Sequence, residues 1–523
     1  MSLQFITGGS GAGKSEYLSR LVCEESVRRP HDNFIVVVPE QYTMETQKKL
    51  VHMHSRKGIL NIDVVSFERL AYKVFEELGG GNRPVLDDTG KNLIVRRVLE
   101  KEKKKLDYFG SSIEKTGFVS ELKSVISELL QYGITPQQLG EIGENVKEKQ
   151  QLSAKLKDIR LVYKEFMAFL STNYITSEEI LDVLCGLVEK SKLIAGSEII
   201  FDGFTGFTPI QYKLMRLLLV YSKGIKISVT IDKKERPTGH EGWNNLFFMS
   251  KEMMNRLIAI CEEEGINVDD TVCVDRDINY RYEGAKDLAY LERNLFRYKG
   301  GVYTGTPENI RIYEGSNPKE ELQYIVSEIL QLTRKESFRY RDIAVVTADL
   351  ETYGKVAANM MKQNDIPAFL DYKRSVASNP YVEMLCSALE IVEKGYPYDT
   401  MFRYLRTGLT GISRHDIDML ENYCLAVGIR GSRAWHEPWK KKMKRSTYQP
   451  ELETLNALRE QIMAPFLNLE AVLKDKEANV RAYVTAVYEF VTALHSAEQI
   501  KALSECEPAG NEYEQLYAKV LEL

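Results

Sequence analysis

The stretch GGSGAGKS, residues 8–15, narrows the possible folds more than any other feature of this 523-residue chain. A glycine, four residues, then Gly-Lys-Ser is the spacing of a phosphate-binding loop. Residues 3–7, LQFIT, are apolar enough for a buried strand, and from 14 to about 28 Leu18, Leu21 and Val22 recur at helical spacing. The motif therefore lies between a strand and a helix, the setting that gives it meaning. Its glycines let successive N–H groups turn toward one point, and the helix start adds positive potential there. Gly8, Gly9, Ser10, Gly11, Ala12, Gly13, Lys14 and Ser15 form the expected nucleotide site. In it Lys14 reaches the outer phosphates and the Ser15 hydroxyl ligates Mg²⁺. The plain alternative is a glycine-rich turn that holds nothing.

Strands and helices alternate after the loop. Residues 34–38 (FIVVV) and 61–65 read as strands, with a helix from Phe67 to Phe75 and a break at Gly79-Gly80-Gly81. From 84 to about 191 helical periodicity dominates and no strand is expected. Strands resume at 198–202 (EIIFD) and 225–232. A second alternating unit is expected from about 309, with strands at 310–313, 343–347 and 367–370, and residues 379–523 read as helical. The fold class is therefore α/β: parallel-sheet cores covered on both faces and interrupted by helical insertions.

At 44% hydrophobic and 28% charged residues the chain suits a globular protein, and no apolar run is long enough to span a membrane. The motif lies too close to Met1 for a signal peptide, which points to the cytoplasm. Seven cysteines include no Cys-x-x-Cys pair, so neither a disulfide framework nor a metal knuckle is indicated. His52 and His54, the one close histidine pair, are expected on a helix surface. A net charge of −5 gives no global attraction to nucleic acid, though a local groove can be basic.

A phosphate loop needs an acidic partner for Mg²⁺ at a neighbouring strand end, and Asp202 fits, unless it is only a turn residue beside Gly203. Hydrolysis usually needs a further carboxylate to position or activate water. In many nucleotide-driven motors it follows the metal-binding Asp directly; here Gly203 follows.

The order of motifs resembles the superfamily-one (UvrD-like) DNA helicases, and more closely the B subunits of bacterial AddAB (RexAB-type) ATP-dependent helicase–deoxyribonucleases. The residues carrying the match are MSLQFITGGSGAGKSEYL, VVVPEQYTMETQKKL, VVSFERLAYKVFEELGG, IIFDGFTGFTPIQYKLM and IAVVTADLETYGKVAANMMKQNDIPAFLD, which cover most of residues 1–380. The resemblance implies two RecA-like P-loop cores. Residues 1–82 begin the first core, 83–196 are a helical insertion, 197–300 resume the first core, 301–380 begin the second, and 381–523 are a second, incomplete insertion. It implies bound ATP and Mg²⁺, contact with single-stranded DNA, scanning for a Chi-type sequence, and a heterodimer with the family's A subunit, the active helicase–nuclease. Gln41, Thr43, Ser66, Phe67, Arg69, Phe204 and Phe207 fall where DNA would lie. Phe67 suits core packing equally well. The family's nuclease domain and four-cysteine iron–sulfur cluster are expected only beyond residue 523.

Departures from the helicase pattern are specific. Seven residues before Gly8 leave no room for an adenine-reading glutamine, Asp202-Gly203 replaces Asp-Glu, and no arginine follows the strand at 343–347. Together these predict a fold that binds ATP but does not run as a motor. A scaffold with a vestigial loop, or a P-loop phosphotransferase, are the other readings. Lys101 to Lys105 reads as a solvated helix end, and Trp435 and Trp439, beside Lys440–Lys442 and Lys444-Arg445, as a nucleic-acid or partner contact.

Overall fold

Runs of β-branched and aromatic residues build one parallel sheet in the computed structural model of the chain. The structure describes residues 1–79, 84–115, 117–146, 149–236, 238–239, 242–297, 301–370, 376, 378–443, 450–506 and 510–522, without the side chains of 171–173, 506, 510 and 511. Gly80, Gly81, Lys444, Arg445 and the Cys506 side chain lie outside that description. The strands are β1 (Ser2–Gly8), β2 (Asn33–Val37), β3 (Ile62–Val65), β4 (Val85–Leu86), β5 (Ile175–Thr176), β6 (Ser197–Phe201), β7 (Gly224–Thr230), β8 (Asn267–Val268) and β9 (Val272–Cys273). Seven of them form a sheet in the order β3-β2-β6-β7-β1-β8, with β9 also pairing β1, and every pairing is parallel.

Alternation within each strand sends side chains to two layers. On one face Leu3, Phe5, Ile35, Val37, Ile199 and Ile225 pack against α3 (Phe67–Leu78) and the helices Pro209–Tyr221 and Phe248–Glu264. On the other, Ile6, Phe34, Val36 and Ile200 meet Leu18 and Val22 of α1 (Lys14–Arg28) and Leu50 of α2 (Thr43–Met53). His54 belongs inside rather than on the surface: it is buried, with Nε2 3.1 Å from the Ser26 hydroxyl, while His52 is exposed.

The helical insertion has its own core, built by Val95, Leu99, Ile126, Val162 and Phe166. Its ends are joined by the parallel pair β4–β5, in a stretch whose periodicity predicts no strand. Two-residue strands carry no periodicity, and the same holds for β8 and β9. Lys101, Lys103 and Lys105 pair with Glu165, Glu114 and Glu102, which fits a solvated helix end.

Backbone contacts divide the chain into Met1–Ile312 and Tyr313–Leu523. In the second unit the helices Pro318–Lys335 and Leu350–Gln363 pack through Leu322, Val326, Met360 and Met361. The strands expected at 310–313, 343–347 and 367–370 carry no ladder among the described residues, and Val346 and Phe369 are about nine-tenths exposed. An apolar run is legible locally, but a strand exists only with a hydrogen-bonded neighbour. From Pro380 onward the described residues are helical, around a core that includes Tyr404, Trp435 and Phe466. Trp435 and Trp439 are therefore not a stacking surface: both are buried, and the Trp439 indole N–H donates to the Ala434 carbonyl at 2.8 Å.

Candidate nucleotide and single-strand site

Parallel pairing brings the carboxyl ends of β1, β6 and β7 to one edge of the sheet, where ligands of such sheets bind. Register runs from Leu3 opposite Ile225 to Gly8 opposite Thr230, so the loop after β1 faces the loop after β6. The two meet around a cavity of about 390 Å³ whose lining includes Lys14, Ser15, Asp202, Ser228, Thr230 and Arg281. The expected phosphate-loop residues and the expected metal-binding carboxylate thus share one site.

The loop has the geometry its sequence demands. Gly11 has φ +71° and lies so close to the segment after β9 that a Cβ on it would fall 2.5 Å from the Arg281 Cβ. Gly13, also left-handed, caps α1, whose first N–H groups face the cavity side with the Ser15 side chain. Lys14 Nζ donates to the carbonyls of Gly8 (2.8 Å) and Gly9 (2.9 Å). Burial pushes the Lys14 ammonium below its ordinary value, opposed by the Asp202 and Asp275 carboxylates. Asp202 accepts from the Ser228 hydroxyl at 2.5 Å, and Ser228 Oγ in turn accepts from the Gly203 N–H at 3.3 Å. Ser15 and Asp202 supply the hard oxygen donors that Mg²⁺ takes alongside phosphate, so the residues present fit Mg·ATP. Glu16, the other carboxylate lining the cavity among the described residues, is ion-paired with Lys49 and Arg20, each at 3.1 Å.

A third segment, which no motif announces, closes over the loop. Strand β9 pairs with β1, and Val274 N–H donates to Thr7 O at 2.9 Å, which delivers Asp275 and its successors to the loop. Asn279 Nδ2 donates to Ser10 O (3.2 Å), Arg281 N–H to Gly11 O (3.3 Å), and Ser10 N–H to Glu292 Oε1 (3.1 Å). The Tyr280 ring lies 3.4 Å from where a Gly13 Cβ would be, with the Arg276 guanidinium 3.6 Å from its centroid. This segment also brings the Arg281 side chain to the cavity lining. Its only sequence signal is the aromatic–cation–aromatic run Tyr280-Arg281-Tyr282, with nothing to tie it to a loop some 270 residues upstream.

The candidate DNA residues fall into two groups. Gln41 and Arg69 are exposed, and Phe204 and Phe207 are half-buried beside Gly203. Thr43, Ser66 and Phe67 are buried: Thr43 Oγ1 donates to Glu40 O (2.9 Å), Ser66 caps α3 by accepting from Arg69 N–H, and Phe67 contacts Phe201, Phe204 and Phe207 at centroid distances of 5.4–6.1 Å. These three are structural: Thr43 bonds the turn that carries Gln41, Ser66 caps the helix that carries Arg69, and Phe67 packs against Phe204 and Phe207.

Comparison with known proteins fits this arrangement. The family model described as "ADDB, N-terminal" matches residues 5–292, more than half of the chain. The chain belongs to the AddB N-terminal family. All three segments of the site lie within that AddB match. Proteins named as the B subunit of an ATP-dependent helicase/deoxyribonuclease are similar over nearly all of the chain. That of Lachnoclostridium phytofermentans is 41% identical over 535 aligned residues, covering 100% of this chain and 46% of the relative. That of Clostridium novyi is 33% identical (100% and 46%), and that of Clostridioides difficile 35% identical (96% and 44%). The chain thus spans about half the length of these relatives. Among the described residues no helix is long and apolar enough to cross a membrane.

Proposed function

We propose that this AddB-family chain is the helicase-like half of the B subunit of an ATP-dependent helicase–deoxyribonuclease, holding Mg·ATP in the loop 8–15 without efficient turnover. Single-stranded DNA runs past Gln41, Arg69, Phe204 and Phe207, where Chi-type sequences are sampled beside an A subunit that supplies the motor and the nuclease. The observation that carries this reading is the composition of the cavity. Lys14, Ser15, Asp202 and Arg281 can hold phosphates and a divalent cation, while the position after Asp202 is Gly203 and the remaining lining carboxylate among the described residues, Glu16, is tied to two cations. Bound Mg·ATP supplies a phosphoryl group. Lys14 gives up its carbonyl partners to neutralise phosphate charge, Ser15 and Asp202 orient the cation, and none of these lining groups is a free carboxylate that could take a proton from water. Losing such a base typically removes about 10²–10⁴ in rate. Exposed Gln41 and Arg69 supply phosphate contacts, and the Phe204–Phe207 pair an apolar platform for bases.

Calorimetric titration of the chain with Mg·ATP, with and without single-stranded DNA, beside Lys14→Ala, tests the reading. Binding that vanishes in Lys14→Ala, with turnover at background, supports it. Steady DNA-stimulated hydrolysis abolished by Lys14→Ala refutes the no-turnover reading, and no binding at all leaves a scaffold with a vestigial loop.

A further inference from the structure

We propose that Glu292 is a resident anion of the phosphate loop: its carboxylate occupies a loop N–H, and its charge opposes nucleotide binding. This rests on the reading that the loop binds ATP. Glu292 sits on the helix Lys286–Asn294 and accepts the Ser10 N–H at 3.1 Å. A Cβ on Gly9 would lie 3.0 Å from the same carboxylate oxygen, so the contact is close on both sides of the Gly9–Ser10 peptide. The segment leading into that helix is held at the loop independently, by Asn279, which bonds Ser10 O, and by Arg281, which bonds Gly11 O.

This arrangement is unusual for its charge. A loop whose N–H groups and lysine are organised for phosphate already holds a carboxylate. Lys14 feels the Glu292 charge together with those of Asp202 and Asp275, and Arg281 opposes them. The groups facing Glu292 are Asp275 after β9, Asp232 after β7, Lys14 of α1 and Arg293 on its own helix. Burial raises the Glu292 carboxyl above its ordinary value, Asp275 and Asp232 add to the rise, and the Ser10 N–H and Arg293 oppose it. An incoming polyphosphate adds negative charge to the same loop and raises that carboxyl further. Binding and protonation at Glu292 are therefore linked: ATP binding takes up a proton there, and affinity falls as pH rises and the carboxyl ionises.

The variants Glu292→Gln and Glu292→Ala separate charge competition from simple bracing. Glutamine keeps an oxygen for the Ser10 N–H and removes only the charge; alanine removes both. Calorimetric titration with Mg·ATP near pH 8 is expected to show Glu292→Gln binding about tenfold tighter than the unaltered chain, the effect of one pKa unit of coupling. The ratio between the two proteins cancels the phosphate's own titration and should shrink toward unity as pH falls and the Glu292 carboxyl takes up its proton. Glu292→Ala should also gain. An unchanged or weaker Glu292→Gln overturns the proposal, as does a loss confined to Glu292→Ala, which marks a brace. Proton uptake by the unaltered chain, read from titrations in buffers of different ionisation enthalpy across the pH range in which that ratio falls, tests the linkage without any variant, and its absence throughout that range overturns it. If the Mg·ATP signal is insensitive to Lys14→Ala, the ATP reading falls instead, whatever the Glu292 variants do.

Discussion

Placing the missing carboxylate back after Asp202 should not make a motor. Gly203 has φ +85°, a backbone setting in which an L side chain costs roughly 1–2 kcal/mol. A Cβ there meets Pro39 Cδ at 3.4 Å and Cγ at 3.8 Å, ordinary contacts, so the penalty is one of backbone and not of space. The same geometry places the new Cβ against Pro39. Gly203→Ala and Gly203→Glu should therefore lose about the same stability, roughly 1–2 kcal/mol, which is on the order of a few degrees in Tm for a unit this large. Neither should raise ATP turnover. Thermal unfolding followed by circular dichroism and a coupled phosphate-release assay read the two effects on the same samples. A Gly203→Glu protein that is as stable as the unaltered chain, or hydrolyses ATP about 10²-fold faster, refutes the argument that the loss is built into the backbone.

Other perturbations separate contact from support. Arg69→Ala should leave Tm unchanged, weaken single-stranded DNA binding and lower the slope of log affinity against log salt by about 0.7, one phosphate contact. Phe67→Ala should lose about 3–5 kcal/mol in urea unfolding, while Phe67→Leu recovers most of it; an unaltered urea midpoint in Phe67→Ala would make Phe67 a stacking residue instead. Glu198 is buried, which raises its carboxyl, but Lys226 and Arg29 more than offset this and hold it below the ordinary carboxylate value. Its contribution is present at neutral pH and lost as pH falls below about 4.3, so Glu198→Gln should lower Tm at pH 7 and much less near pH 3. Trp435→Ala should destabilise the second unit by about 3–5 kcal/mol without changing DNA affinity, because the ring is buried.

What could be read from the sequence was what repeats locally. The strand–loop–helix around residues 8–15, the strands near Val65 and Phe201, and the long helical stretches all declare themselves through period or through a fixed motif, and Asp202 follows from standing at a strand end. The rest depends on pairing between distant segments. Strands β8 and β9 have two residues each and no pattern, yet β9 beside β1 is what carries residues 275–292 to the phosphate loop. The expected strands at 343–347 and 367–370 failed for the converse reason: their apolar runs are clear, but no partner pairs with them among the described residues. Trp435 and Trp439 show a third limit, since aromatic rings beside lysines look alike on a binding face and at the edge of a core until burial is known.

The three segments around the cavity argue for a site specialised in holding. On the proposed reading, loop 8–15 and Asp202 supply what binding needs, phosphate donors and a cation site. The segment 275–292 adds a cation in Arg281 but also grips Ser10 from both sides, through Asn279 on its carbonyl and Glu292 on its N–H. On the same reading a nucleotide in this loop meets the Glu292 charge, and the segment that carries Glu292 follows directly from the β9–β1 pairing. Binding would then be felt at the sheet edge, as a nucleotide that stabilises a DNA-reading surface would require.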